Sequence, residues 1–122
     1  ASDVYKRQPL QALVLMNDPQ FVECARWLAR RVLHEGGSTN DARIDALYRI
    51  VLARPAHSDE IRLIGGLLEE YLRHYRANPE QARELCEVGE ASGDDVYDAA
   101  TVASWAMISN LVLNLDETVT KS

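Results

Sequence analysis

Few residues in this sequence have the types and spacing of a catalytic or metal-binding site. The first candidate group is a set of three aspartates. Asp94, Asp95 and Asp98 spell D-D-x-x-D, a pattern that can gather magnesium for diphosphate chemistry when it lies on a helix wall. Here the pattern follows Gly93 in a stretch without apolar periodicity, and it ends where a helix is predicted to begin. We therefore predict a solvated loop with Asp98 as a helix N-cap, and a calcium-binding loop is the alternative.

A second polar cluster comprises Asn114, Asp116 and Glu117, directly after the most apolar segment of the chain. Its polar groups would emerge from the core, so the cluster could contact a sugar or a metal ion. We favour a structural role, in which Asn114 ends the helix and the two carboxylates pair with arginines of residues 19–52. These three residues are the candidate polar cluster, and we assign no catalytic, cofactor-binding or metal-binding residue.

The histidines offer no site by spacing. His34, His57 and His74 lie on different helical turns, so the i, i+4 pair that can hold zinc is absent. His34 is expected near a helix C-terminus, where a cation interacts favourably with the helix dipole. His57 is expected in a loop and His74 on an exposed face.

The two cysteines are expected in the core. Cys24 and Cys86 lie 62 positions apart and neither precedes a histidine, so the C-x-x-C-H motif of covalent haem attachment is absent. Cys24 borders the apolar stripe of Phe21, Ala25 and Leu28, and free cysteine is among the most buried residue types.

Composition predicts one globular domain without nucleic-acid or membrane partners. The chain has 122 residues, of which 47% are hydrophobic and 26% charged. Residues 1–55 hold 8 Lys or Arg and 6 Asp or Glu, whereas residues 56–122 hold 5 and 13, so the two halves carry +2 and −8. The acidic half argues against nucleic acid and anionic membrane surfaces. No apolar run reaches the roughly 18 residues of a membrane span.

Apolar residues recur with a helical period from residue 9 onward, which predicts an all-α, single-domain bundle of five to six helices over residues 9–122. The preceding ASDVYKRQ resembles translated sequencing adapter, and the alternative is a short disordered lead-in; residues 1–8 are therefore left out of the domain. The inward positions expected along the chain are Leu10, Leu13, Val14, Phe21, Ala25, Leu28, Val32, Trp27 or Leu33, Ile44, Leu47, Tyr48, Val51, Leu52, Ile61, Ile64, Leu68, Tyr71, Tyr75, Ala82, Leu85 and Cys86.

Local signals predict where these helices begin and end. Asp18 and Pro19 fit an N-cap and first helical position, Gly36 and Gly37 a C-terminal cap, and Ser58 with two acidic residues a new start after Pro55. Asn40 or Asp41 is the expected cap of the helix that follows Gly37. Asn78, Pro79 and Gln81 are expected to form a capping box.

Three further expectations concern packing. Gly65 and Gly66 lie within a predicted helix, where each costs about 1 kcal/mol relative to alanine, so a close helix crossing is expected there. The last helix is apolar on almost every face, which predicts that it occupies the centre of the bundle. Arg26, by contrast, is expected to face water.

Three ordered segments resemble a known family. These are PLQALVLMNDPQFVECARWLARRVL, ARIDALYRIVLARPAHSDEI and SWAMISNLVLNLDETVTKS, which together resemble the C-terminal region of the planctomycete-specific domain one family, a domain of unknown function. The resemblance implies that the chain is the terminal fragment of a large protein, usually exported to the periplasm or cell surface and often carrying cytochrome-c-like domains. Any c-type haem would then belong to the upstream domains, with no cofactor in this fragment.

Function remains open between three classes. The leading interpretation is a non-catalytic helical structural or interaction module whose partners are the upstream domains of its parent. The alternatives are an accessory part of an enzyme acting on polysaccharide and a docking module of a haem electron-transfer protein.

An exported parent would also permit a disulfide between Cys24 and Cys86, although their spacing matches no known framework.

Overall fold

A computed structural model gives the backbone of residues 19–87 and 97–121 and the side chains of residues 23–86 and 97–115. All regular elements in these ranges are α-helices, which confirms the all-α prediction. The predicted stripe of Leu10, Leu13 and Val14 lies outside the described residues, as does the lead-in. In chain order the helices are α1 (Pro19–Glu35), α2 (Asn40–Leu52), α3 (Ser58–Ala77), α4 (Pro79–Glu87) and α5 (Ala99–Lys121).

Helix α5 is the centre of the bundle, as its all-round apolar sequence predicts. It packs against each of the other four helices and most extensively against α1. Every residue from 102 to 112 is buried, including Trp105, which is 1% exposed. A helix without a polar face is stable only when it is enclosed on all sides. The other helices enclose it with the predicted residues Ile44, Leu47, Tyr48, Ile64, Leu68, Tyr71 and Tyr75.

The ends of α1 follow the predicted signals. Pro19 is its first residue, where the missing N–H costs nothing, and Asp18 lies outside the described residues. After Glu35 the Gly36 N–H donates to the Val32 carbonyl at 2.8 Å. Gly37 then adopts a φ of 109°, a conformation that side chains with a Cβ rarely tolerate.

The rotation of α1 decides between two predicted alternatives and corrects one prediction. Leu33 is 1% exposed and Trp27 is 57% exposed, so Leu33 is the inward residue of the two alternatives. Arg26, predicted to face water, is 3% exposed. Its guanidinium donates to the Cys86 carbonyl near the end of α4, and this distant acceptor, rather than local periodicity, explains its burial.

The predicted N-cap of α2 is wrong because a neighbouring side chain takes the capping bond. The N-cap of α2 is Thr39 rather than Asn40 or Asp41, since the Thr39 hydroxyl accepts from the Ala42 N–H at 3.1 Å. Asn40 is already the first helical residue. Threonine caps by the same physical mechanism, so the error is one residue in register.

At the start of α4, Asn78 and Pro79 occupy the predicted N-cap and first helical positions, but the predicted capping box with Gln81 does not form. The Asn78 carbonyl accepts from the first turn of α4, but its side-chain amide donates to the His74 carbonyl at 2.9 Å. The Gln81 Oε1 lies 2.9 Å from the His74 Nε2. The two residues therefore join α3 to α4 through His74, which is half-buried rather than exposed.

None of the described helices crosses closely at Gly65 and Gly66. A Cβ atom added at either glycine would meet no atom of the described residues within 4 Å, so the prediction of a crossing is wrong for this part of the chain. The helix period alone cannot distinguish a glycine that admits a neighbour from one that faces open space.

None of the helices in the described part of the chain combines the length and apolarity needed to cross a membrane.

Candidate functional site

The candidate polar cluster lies within α5 rather than after it. Helix α5 continues to Lys121, so the prediction that Asn114 ends the helix is wrong. The Asn114 amide donates to the Asn110 carbonyl at 2.9 Å, a bond to the preceding turn that lets asparagine remain inside a helix. Asp116 and Glu117 lie on the helical backbone, but their side chains are outside the described residues. Their proposed ion pairs therefore stay a prediction.

The described part of the D-D-x-x-D pattern serves the start of α5. The Asp98 carbonyl accepts from the Val102 N–H at 3.1 Å, and the Asp98 carboxylate accepts from the Thr101 hydroxyl. Asp98 therefore occupies the predicted cap position. Asp94 and Asp95 lie outside the described residues, so the calcium alternative is untested.

The cysteines do not both lie in the core. Cys24 is exposed, because the buried face of α1 is centred on Ala25, Ala29 and Val32, and that part of the prediction is wrong. Cys86 is half-buried, and its thiol donates to the Ala99 carbonyl at a sulfur–oxygen distance of 3.5 Å. Cys24 and Cys86 are not joined by a disulfide in this structure.

A network that the sequence reasoning missed closes the loop between α2 and α3. Two nitrogens of the Arg54 guanidinium donate to the two oxygens of Glu60, each at 2.9 Å. The same carboxylate accepts from the His57 N–H at 2.8 Å. The Arg54 guanidinium also lies 5.4 Å from the centre of the Tyr48 ring, which is buried in the core. Bidentate geometry and a stacked aromatic are what distinguish arginine from lysine.

This network shifts the ionisation of Glu60. The hydrogen bonds from Arg54 lower the pKa of the Glu60 carboxyl from 4.5 to about 2, and the bond from the His57 N–H acts in the same direction. Beside it, Asp45 accepts from Arg49 at 2.7 Å and from the Ala56 N–H at 3.0 Å. These bonds lower the pKa of the Asp45 carboxyl. Both carboxylates stabilise the loop as anions.

A second network joins the end of α1 to the start of α5. The Tyr97 hydroxyl donates to the Leu33 carbonyl at 3.0 Å and accepts from Arg43 at 3.1 Å. Arg43 also donates to the Gly37 carbonyl at 3.1 Å. His34 packs edge-on against the Tyr97 ring, with centroids 5.6 Å apart. These groups satisfy carbonyls that the end of a helix leaves without partners.

Sequence signals for both networks exist but are weak. Arg54 immediately precedes Pro55, which holds the chain extended and allows its side chain to return to Glu60 six residues later. Tyr97 directly precedes the predicted cap Asp98. Nothing local indicates that Arg43, 54 residues earlier, is its partner.

Several buried polar atoms have no hydrogen-bond partner among the described residues. They include the Tyr75 hydroxyl, the Ser104 and Ser109 hydroxyls and both polar atoms of the Asn110 amide. Burial raises the pKa of the Tyr75 hydroxyl, and it raises that of Tyr71 to about 12, so both phenols are protonated across the physiological range.

Among the described residues, no three His, Cys, Asp or Glu side chains converge as metal ligands.

Comparison with known protein families shows to which family the chain belongs. The sequence model of PSD1, described as a protein of unknown function (DUF1553), matches residues 4–68, which is more than half of the chain. This chain belongs to the PSD1 family. No curated protein and no solved structure matches it.

The PSD1 match covers α1, α2 and the first half of α3. It therefore includes Arg43 and the whole Arg54–Glu60 network, whereas Tyr97 and the candidate polar cluster of α5 lie beyond it. Of the three segments that carry the resemblance, the first two fall within the match and the third, residues 104–122, does not.

Proposed function

We propose that this chain is a non-catalytic helical module at the C-terminus of a larger exported protein of the planctomycete-specific type, where it packs against the upstream region. In this proposal any c-type haem belongs to upstream domains. The chain's own ionisable side chains hold helices and loops in place.

The observation that supports the proposal is that polar side chains form hydrogen bonds between helices and loops. Arg54 and Glu60 close one loop, and Arg43 and Tyr97 join α1 to α5. His74 of α3 bonds to Asn78 at the junction between α3 and α4 and to Gln81 of α4. Residues of the types that perform catalysis are here occupied by contacts between secondary-structure elements, and such contacts favour a structural role.

The candidate polar cluster provides the test. We propose that Asp116 and Glu117 pair with arginines of α1 or α2 and close the bundle, each pair contributing about 0 to 1 kcal/mol. Replacing both residues by alanine should then lower the urea midpoint relative to a control in which Glu69 and Glu70, two adjacent exposed carboxylates of α3, are replaced by alanine.

If Asp116 and Glu117 instead form a functional site, replacing them should relieve strain or like-charge repulsion. A functional constellation is often destabilising, so its removal leaves stability unchanged or raises it. If the Asp116 and Glu117 variant is at least as stable as the Glu69 and Glu70 control, while the longer protein loses its activity, the structural proposal fails.

A further inference from the structure

The face of α1 opposite the core carries an exposed tryptophan. Trp27 is 57% exposed, although tryptophan is among the residues that gain most from burial. Glu23, Cys24, Arg31 and His34 are also exposed. At 100° per residue, all four project within about 60° of the Trp27 direction. They form one continuous surface, which we call the Trp27 face.

The order of charges along the Trp27 face is self-complementary. Glu23 lies four residues before Trp27 and Arg31 lies four residues after it, with Arg30 beside Arg31. If a second copy of α1 is placed antiparallel on this face, with the twofold axis beside Trp27, then Glu23 of each copy lies opposite Arg31 of the other. A twofold interface requires such a surface, because the same patch must complement itself.

We infer that the Trp27 face binds a second copy of this chain, through antiparallel α1 helices that bring the two Trp27 rings together at the twofold axis. The inference goes beyond the proposed structural role and does not depend on it. Two symmetric Glu23–Arg31 pairs set the antiparallel direction, since a parallel pairing would place like charges together.

The existing contacts of Arg31 leave it able to pair with Glu23 of a second copy. Its guanidinium lies 5.4 Å from the centre of the Trp27 ring and donates to Glu35 at 3.3 Å. The Arg31 and Glu35 side chains are 41% and 68% exposed, so this pair is weak and can be shared with a partner. The cation already lies beside the ring that the partner would cover.

The size of the Trp27 face sets the expected affinity. Glu23 and His34 are separated by 11 steps along the helix, or about 17 Å at 1.5 Å per residue. One helix pair of that length buries less than the roughly 1,200 Å² of a standard stable interface. The dimer should therefore be weak, with a dissociation constant in the micromolar range or above, and it should depend strongly on Trp27.

Charge reversal provides the test on the full 122-residue chain. Sedimentation equilibrium over about 10 µM to 1 mM should show a concentration-dependent dimer for the unaltered chain. Glu23→Arg alone and Arg31→Glu alone should each weaken it at least tenfold, because each makes the face uniformly charged. An equimolar mixture of the two variants should associate again, since each positive face then meets a negative one.

Two further measurements keep the outcome specific. Arg62→Glu reverses an exposed arginine on α3, away from the Trp27 face, and should leave the dimer unchanged. Trp27 emission should shift to shorter wavelength on association, while Trp105, at 1% exposed, is already in the core. A chain that stays monomeric to 1 mM, a dimer that survives Glu23→Arg, or a mixture that stays monomeric overturns the inference.

Discussion

At the residue scale, Glu60 shows how an acid that could perform chemistry is committed to structure. Its carboxylate receives two bonds from Arg54 and one from the His57 N–H, which hold its pKa at about 2. A carboxyl with so low a pKa is a poor general acid or base near neutral pH, where matched values are needed. Glu60 is therefore suited to holding the loop rather than to proton transfer.

The depressed pKa predicts an acid-dependent loss of stability. Because the folded pKa of about 2 lies below the ordinary 4.5, the stabilisation is complete above about pH 4.5 and is lost as pH falls towards 2. Glu60→Gln should lower the free energy of unfolding at pH 7 by about 1 kcal/mol, because the partial exposure of the pair to water limits its contribution.

Urea unfolding at several pH values would check this. The difference between the unaltered chain and Glu60→Gln should shrink between pH 4.5 and 2, since both then lack the anion. A difference that is constant with pH would show that the charge is not responsible.

Asn110 gives a second prediction at this scale. It is 1% exposed in the most apolar helix, and neither amide atom has a hydrogen-bond partner. An unsatisfied buried amide costs about 1 to 3 kcal/mol, and leucine has nearly the same shape. Asn110→Leu should therefore raise the thermal midpoint, and Ser109→Ala should raise it less. A lower midpoint for Asn110→Leu would mean that the amide has a partner.

At the element scale, the helices follow from local physical chemistry. Apolar periodicity predicted α2, α3 and α5, and the Pro19 and Gly37 signals predicted the ends of α1. Capping by side chains was harder to predict, because several residues of similar chemistry compete for the same N–H groups. Thr39 rather than Asn40 caps α2 for this reason.

Long-range contacts could not be predicted from one sequence. The Arg43–Tyr97 bond joins residues 54 positions apart, and Arg26 reaches the Cys86 carbonyl across 60 positions. Periodicity assigns a residue to a face but does not identify the acceptor that a buried arginine will find. The helix end predicted at Asn114 was wrong for a related reason. The Asn114 amide bonds to the Asn110 carbonyl in the preceding turn, and the helix continues past it.

Gly65 and Gly66 yield a prediction for α3. Both lie inside a 20-residue helix with open space where a Cβ would project. Gly65→Ala and Gly66→Ala should each raise the free energy of unfolding by about 0.5 to 1 kcal/mol, because alanine loses less backbone entropy on folding. Gly36→Ala is the control and should be destabilising, since its Cβ would lie 2.5 Å from the Val32 carbonyl oxygen. Destabilisation at Gly65 or Gly66 would restore the close-contact explanation.

At the scale of the whole molecule, the chain is a helical bundle built around α5. Each outer helix contributes apolar residues to that centre, and polar networks fix the connections between them. Belonging to a family of unknown function adds no chemistry to this description. In the described part of the chain, the polar side chains most suited to chemistry instead join helices and loops.

A double-mutant cycle between Arg54 and Glu60, followed by urea unfolding at pH 7, tests this claim most directly. Arg54→Ala and Glu60→Ala should each destabilise the chain, and the double variant should cost less than the sum of the two, with a coupling of about 1 kcal/mol or more. Both single variants matching the unaltered chain, with no coupling between them, would contradict the account and return Glu60 to the residues available for chemistry.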